Sequence, residues 1–265
     1  VVVTFFVVLV VGNVTYELGL SWRGIAATHV GLFLLALLHG GLALAIGAGT
    51  GNRAWAAAAA AVVAVGSFPL HSFAPFHSAV RTVATLTPYV WYVRRMPLLN
   101  GFSEGQPRLV IGTVLILAAA MLAFRRRDLQ TVIPWLDRFH RRVRVDGSRV
   151  SRPRGSRLLT SAYGKALWFR RRSIVAWALG LCGIAVLTML FWPTLSRSMS
   201  DLEAIIAMFP REAFAVFGMA EPKDLMTAGG FISSRVYASV GLVLMLAFSI
   251  SMGAASIAGE ERRGT

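Results

Sequence analysis

Charges of both signs stand side by side where a long apolar stretch ends. The stretch covers residues 236–258 and is followed by Gly259. Six residues with paired carboxylates and paired guanidiniums come next: Glu260, Glu261, Arg262, Arg263, Gly264 and Thr265. Such charges cannot lie in hydrocarbon, so they must face water or a protein partner. The chemistry that this pattern predicts is polar recognition at a membrane surface.

The histidines suggest a second chemistry, the binding of a haem or a metal. His39 lies inside one apolar stretch and His71 near the end of the next, and two imidazoles can hold a haem iron between helices. A single cysteine, Cys182, and no histidine pair at metal spacing argue against this. We therefore expect His39 to form a hydrogen bond between packed helices or to line a cavity. The remaining histidines are expected at interfaces without a special role: His29, His77 and His140.

The elements that carry these residues are predicted to be membrane helices. Hydrophobic residues make up 56% of the chain and charged residues 15%. A bilayer core of about 30 Å requires about 20 apolar residues per helix. Five stretches come near that length: 27–48, 54–73, 109–124, 174–192 and 236–258. A sixth, 1–12, is too short to cross, and we interpret it as part of a helix that begins further upstream. The predicted fold is an all-α, polytopic transmembrane helical bundle.

Charge orients this bundle. Of the net charge of +15, most lies in residues 125–172, which are therefore predicted to be cytosolic together with the turn 49–53. Segments 74–108 and 193–235 would then be external, although four arginines in the first of these argue against that side. The basic linker predicts a short amphipathic helix on anionic lipid or a solvated tether. It carries no aromatic pattern for nucleic-acid binding.

A proline-rich aromatic segment precedes the third of the long stretches. It contains Thr87-Pro88-Tyr89-Val90-Trp91-Tyr92 and Pro97-Leu98-Leu99-Asn100-Gly101. Three prolines and several arginines make it unsuitable as a span, so it is predicted to lie in or re-enter the external interface. After the next apolar stretch comes Phe124-Arg125-Arg126-Arg127-Asp128-Leu129.

These motifs resemble the permease subunits of bacterial type-2 ATP-binding-cassette (ABC) exporters. Such permeases have a similar Ser-Pro-aromatic-aromatic and Pro-Leu-x-x-Gly signature before the last helix, and a similar Phe-x-Arg-Arg-Asp-Leu after it. Their second helix ends in a similar Ala/Gly-Glu-Glu-x-x-Gly-Thr sequence. The order found here resembles two fused half-permeases, as in exporters of tetronasin-like polyketide antibiotics and other drugs. The implied units are 1–128 (helices three to six, with the re-entrant segment 74–107), the linker 129–163, and 164–265 (the first two helices of a second half).

The resemblance implies a transport subunit in the bacterial cell membrane that is not itself an enzyme. Two copies of a partner ATPase would supply ATP hydrolysis and hold ATP and Mg²⁺, and this chain would hold no cofactor. Residues 260–265 would couple the permease to that ATPase. The cargo would be a lipophilic or amphipathic compound, moved outward as in multidrug efflux and antibiotic resistance. Gly164-Lys165 lacks the other residues of a phosphate-binding loop, which is consistent with a separate motor.

Candidate site residues fall into two groups. The substrate path is assigned to His39, Gly41, Ala45, Met245 and Phe248, and the re-entrant motif to Pro88, Tyr89, Trp91, Pro97 and Gly101. The small residues Gly41, Ala45 and Gly49 share a helix face that favours close packing, with a mobile path wall as the alternative. Residues 198–217 predict an amphipathic element, either an external gate or a lid. Other functions left open are an ion-gradient-driven secondary transporter and a polytopic membrane redox enzyme.

Overall fold

A computed structural model describes residues 1–126, 162–198, 208 and 226–256, and all regular structure in these ranges is helical. The helices are α1 (Val2–Thr15), α2 (Trp22–Thr50), α3 (Arg53–Phe73), α4 (Ser78–Ala84), α5 (Pro88–Val93), α6 (Pro97–Asn100), α7 (Gly105–Arg126), α8 (Ala162–Arg197), α9 (Ala228–Ile232) and α10 (Val240–Ser256). A π-helical turn, Ser233–Tyr237, joins α9 to α10. The predicted all-α class is confirmed for the described part of the chain.

Five helical segments are long and apolar enough to cross a membrane: Trp22–Thr50, Arg53–Phe73, Gly105–Arg125, Arg170–Arg197 and Ala228–Ser256. Each contains or largely overlaps one of the five predicted stretches, which indicates a multi-pass membrane protein. The sixth stretch forms α1, an apolar helix of 14 residues that is shorter than these spans.

Helix α2 is the centre of the bundle. It begins at Ser21, whose hydroxyl accepts a hydrogen bond from the Gly24 N–H at 3.0 Å, as an N-cap serine does. It ends at Gly51, which has φ of 67° and so adopts the left-handed conformation that glycine tolerates best. Half of the most apolar window of α2 is buried, against 17% in α7 and α8. Helices α7 and α8 therefore present most of their apolar surface outward, where lipid would cover it.

Helices α7 and α10 run in the same direction as α2. Later residues of α2 contact later residues of α10: Ala36 is hydrogen-bonded to Ser249, and Gly40, one turn further on, contacts Gly253. The same holds for α7, where the Gln106 amide reaches the Ala27 carbonyl and the Thr113 hydroxyl reaches that of Leu34. Helices α3 and α8 run in the opposite direction. The short turn after α2 reverses the chain into α3, and α8 contacts α9 at Trp192–Phe231 and the end of α10 at Arg170–Ala255.

The two ends of the bundle are therefore distinct. One end, called here the capped end, holds residues 16–21, α4–α6 and α9. The opposite end holds the turn after α2, the last turns of α7 and α10, and the start of α8. Segments that the charge pattern places on one side of the membrane accordingly meet at one end of the structure. Which end faces the cytosol stays a prediction.

The re-entrant segment is folded into the capped end. Helices α5 and α6 bury Tyr89, Tyr92 and Leu98 to 3% exposure or less, while α4 stays mostly exposed. Two glycines allow the close approach, because a Cβ on Gly24 would overlap the Leu98 carbonyl and one on Gly105 would overlap that of Trp91. Helices α5 and α6 are thus buried within the bundle, and whether the segment lies in the membrane interface or re-enters the membrane stays a prediction.

A backbone-to-backbone contact joins the long helices α2 and α10. The backbone of Gly253 lies against that of Gly40, and the Ser249 hydroxyl donates a hydrogen bond to the Ala36 carbonyl. Small residues permit such contacts between membrane helices. Helix α10 belongs to the second predicted unit (164–265) and α2 to the first (1–128), so the described parts of the two units pack against each other.

Candidate functional site

One face of α2 buries polar atoms in the middle of the bundle. Thr28 and His39 are eleven residues apart, which is close to three helical turns and places both on the same face. They are 0% and 1% exposed, and the leucines between them on this face, Leu32 and Leu35, are equally buried. An apolar face would be the ordinary choice for such a position, so these two polar residues are the notable feature of the helix.

The ring of His39 has one satisfied and one unsatisfied nitrogen. Its Nδ1 lies 2.9 Å from the Leu35 carbonyl oxygen. Because a carbonyl only accepts, Nδ1 carries the proton in this bond, and Nε2 of the neutral ring is then an acceptor. Nε2 is buried and has no hydrogen-bond partner. His39 was expected to form a hydrogen bond between helices or to line a cavity. Its one hydrogen bond stays within α2, so Nε2 is left as an acceptor for a hydrogen-bond donor from another group.

A second unsatisfied position lies nearer the capped end, where α5 crosses α2. The hydroxyls of Thr28 and Tyr92 are both buried and have no hydrogen-bond partner. Tyr92 packs on Gly31 so closely that a Cβ there would lie 2.9 Å from the tyrosine ring. Burial raises the pKa of the Tyr92 phenol well above its usual value, so the group is a neutral hydroxyl at physiological pH.

The predicted re-entrant motif holds this arrangement in place. Pro88 and Pro97 occupy the first turns of α5 and α6, where a missing N–H costs nothing. The Tyr89 hydroxyl donates to the Ala238 carbonyl at 2.9 Å, and the Trp91 indole N–H donates to the Thr85 carbonyl at 2.7 Å. Gly101 ends α6 with φ of 74°, a conformation that favours glycine. The five motif residues therefore build the capped end.

The residues assigned to a substrate path do not share one surface. His39 and Gly41 lie about 200° apart around α2, so they face opposite sides. A Cβ on Gly41 would lie 3.2 Å from Ile116 and Leu117, which places this glycine against α7 and supports the packing interpretation. Ala45 is half-buried and Gly49 has open space around it.

The two path residues on α10 have separate environments. Met245 is 1% exposed in the core, whereas the Phe248 ring lies 6.0 Å from that of Trp177 on α8. Of the predicted path residues, His39 is therefore the one with a buried, unpaired polar atom that a ligand could bind.

Sequence reasoning missed the role of His29, for which no special part was expected. His29 is 5% exposed, its Nδ1 lies 2.8 Å from the Ile25 carbonyl oxygen, and its Nε2 lies 3.1 Å from the Tyr237 hydroxyl. The rings of Phe5 and Phe6 meet its edge. One histidine thus ties α1, α2 and the π-helical turn together. Its sequence position, inside an apolar run four residues after Ile25, was the available signal.

Arg170 was also missed. Its guanidinium donates to the carbonyls of Met252 at 3.1 Å and Ala255 at 2.7 Å, both in the last turn of α10. A cation at the carboxyl end of a helix suits the helix dipole, and the Met252 carbonyl also accepts a hydrogen bond from the Ser256 hydroxyl at 2.7 Å. The arginine therefore fastens α8 to α10 at the end opposite the capped end.

The predicted coupling residues, 260–265, lie outside the described residues, as do nearly all of 129–163 and of the amphipathic element 198–217. Within the described ranges, no group of three His, Cys, Asp or Glu side chains is placed to hold a metal. The chain matches no protein-family model, and comparisons with characterised proteins and with solved structures found no significant match.

Proposed function

We propose that this chain is the permease part of a type-2 ABC exporter that moves a lipophilic or amphipathic compound out of a bacterial cell. The observation that carries the proposal is the packing of residues Pro88–Gly101 against α2, just before the long helix α7. These residues lie in the segment 74–107 that is predicted to re-enter the membrane. The resemblance predicts such a segment at this place in the chain. A bundle of apolar helices with a few buried, uncharged polar atoms suits a cargo of that chemistry.

The charge pattern of the spans favours this function over ion-gradient transport. None of the five spans contains an aspartate or a glutamate. Secondary transporters that use protons or sodium ions normally carry such residues within the membrane. A separate ATPase, bound in two copies, would instead supply the energy.

We propose that helix α10 transmits the conformational change that ATP hydrolysis drives. At the capped end, the Tyr89 hydroxyl holds the Ala238 carbonyl just before α10 begins. At the opposite end, Arg170 holds its last carbonyls. Residues 260–265 follow only a few positions later and are the proposed contact with the ATPase. A push at that contact would reach both α8 and the re-entrant segment through a single helix, as a two-state bundle requires.

The test is a double substitution, Glu260→Ala with Glu261→Ala, in the chain expressed with its ATPase. We expect export to fall while the bundle keeps its thermal midpoint, because the substitutions remove only the contact with the motor. Glu104→Ala is the matched control, since this exposed glutamate lies at the capped end. Export and substrate-stimulated ATPase activity that match the control would contradict the coupling assignment.

A second experiment separates the two energy sources. The purified chain reconstituted alone should hydrolyse no ATP, and addition of the ATPase should give a complex whose hydrolysis responds to lipophilic compounds. Transport by the chain alone under a pH or sodium gradient would replace the proposal with a secondary transporter.

A further inference from the structure

Two hydroxyl groups in the capped half of the bundle lack the partners that buried hydroxyls normally have. Thr28 is fully buried, Tyr92 is 2% exposed, and neither hydroxyl oxygen has a hydrogen-bond partner. Native structures pair the large majority of such groups with protein atoms or with a bound molecule. Two unpaired hydroxyls on neighbouring helices therefore indicate a missing partner.

Gly31 allows the Tyr92 ring to pack against α2 close to Thr28. A Cβ on Gly31 would lie 2.9 Å and 3.0 Å from two carbons on one edge of the Tyr92 ring. Thr28 precedes Gly31 by three positions on α2, and residues so spaced are neighbours, with about 5–6 Å between their Cβ positions. The Tyr92 ring thus occupies the place that a Gly31 side chain would take, one helical turn from Thr28.

Gln106 also lies next to Gly31. Its Nε2 lies 3.4 Å from the Ala27 carbonyl oxygen and 3.9 Å from where a Gly31 Cβ would be. Its Oε1 accepts a hydrogen bond from the Ser103 N–H, so the NH₂ side of the amide must face α2. An amide nitrogen has two N–H donors, and the bond to Ala27 uses one.

We propose that Thr28, Tyr92 and Gln106 form a binding site for one neutral hydroxyl group. The three side chains carry no charge, so neither a cation nor an anion finds a counter-charge among them. A hydroxyl oxygen can accept from the Tyr92 hydroxyl and the Gln106 amide and donate to Thr28, which satisfies all three partners. Water and an alcohol group of the exported compound share this chemistry. The assignment to the compound rests on the proposed function.

The experiment compares hydroxyl-deleting variants of nearly unchanged shape, Thr28→Val and Tyr92→Phe, with Tyr89→Phe as the control. Tyr89 lies on the same helix as Tyr92, but its hydroxyl is already bonded to the Ala238 carbonyl. Thermal midpoints are measured in lipid nanodiscs containing equal mole fractions of 1-decanol or decane. We expect decanol to raise the midpoint above the decane value by about 2–4 °C in the wild type and in Tyr89→Phe. This difference should vanish in Thr28→Val and Tyr92→Phe.

Each other outcome decides the matter. If decanol acts like decane but Thr28→Val and Tyr92→Phe both lower the midpoint without any additive, the bound hydroxyl is water and the assignment to the compound is overturned. If Thr28→Val and Tyr92→Phe both keep the decanol effect, no hydroxyl binds here. The same conclusion follows if decanol has no effect on the wild type and both variants raise the midpoint. A chain that fails to bind an ATPase would overturn the proposed function and leave these midpoints unchanged.

Discussion

A methyl group added at Gly253 should force α2 and α10 apart. A Cβ at this position would lie 2.9 Å from the carbonyl carbon of Gly40 and 3.1 Å from its Cα, and closer still to the carbonyl oxygen. The obstacle is backbone, which cannot move away as the end of a side chain can. Ordinary contact begins near 3.4 Å, so the Cβ must move about 0.5 Å away from the carbonyl carbon and about 1.3 Å away from the carbonyl oxygen.

The cost follows from this geometry. Overpacking of a well-packed site costs about 1–3 kcal/mol. The separation also weakens the neighbouring hydrogen bond from the Ser249 hydroxyl to the Ala36 carbonyl, because both residues lie one turn before the glycines. Against this stands the gain of about 0.5–1 kcal/mol that alanine has over glycine in a helix.

The control isolates that gain. Gly66 lies in α3, is exposed, and a Cβ there would have no atom within 4 Å. Gly66→Ala therefore shows the helix-propensity effect alone. Thermal unfolding in nanodiscs should place the midpoint of Gly253→Ala roughly 2–12 °C below that of Gly66→Ala. Equal midpoints would refute the backbone contact between α2 and α10 and, with it, the parallel arrangement of these helices.

Three further predictions concern other parts of the chain. Arg170→Gln should lower stability by about 1.5–3 kcal/mol in the same thermal assay, because two carbonyls lose a charged donor, whereas Arg172→Gln, at an exposed position, should not. Asn52→Ala should cost about 1 kcal/mol, since its side chain caps α3 by accepting from two backbone N–H groups, and an unchanged midpoint would contradict that. A peptide of residues 129–145 should bind anionic vesicles at low salt and lose affinity as salt rises; equal binding to neutral vesicles would leave the segment a tether.

The spans were predictable because a membrane helix is a local property of sequence. Each depends on about 20 consecutive apolar residues, and no distant contact is needed to recognise it. The same holds for residues 74–104, which contain no candidate span, as the prolines and arginines indicated. The burial of this segment was harder to predict from the sequence, because it depends on backbone carbonyls from elsewhere in the chain packing closely against Gly24 and Gly105.

The candidate site could not be predicted in the same way. His39 stood out because a titratable ring in an apolar stretch is rare. Thr28 and Tyr92 are ordinary residues in such a sequence, and only the packing of α5 on α2 leaves their hydroxyls unpaired. The partner of Gly40 is 213 positions away at Gly253, and small residues in membrane helices are too common for one pairing to be chosen over another.

The π-helical turn Ser233–Tyr237 makes the length of the chain at this point as important as its composition. A π-helical turn holds one residue more than an α-helical turn would need. Deletion of one residue there would restore the α-helix and rotate everything before it by about 100° relative to α10. Phe231 would turn away from Trp192, or Tyr237 away from His29. Most connections between helices tolerate the gain or loss of a residue. In this one the number of residues fixes the rotation of the preceding segment relative to α10, so natural length variation should be rare within it.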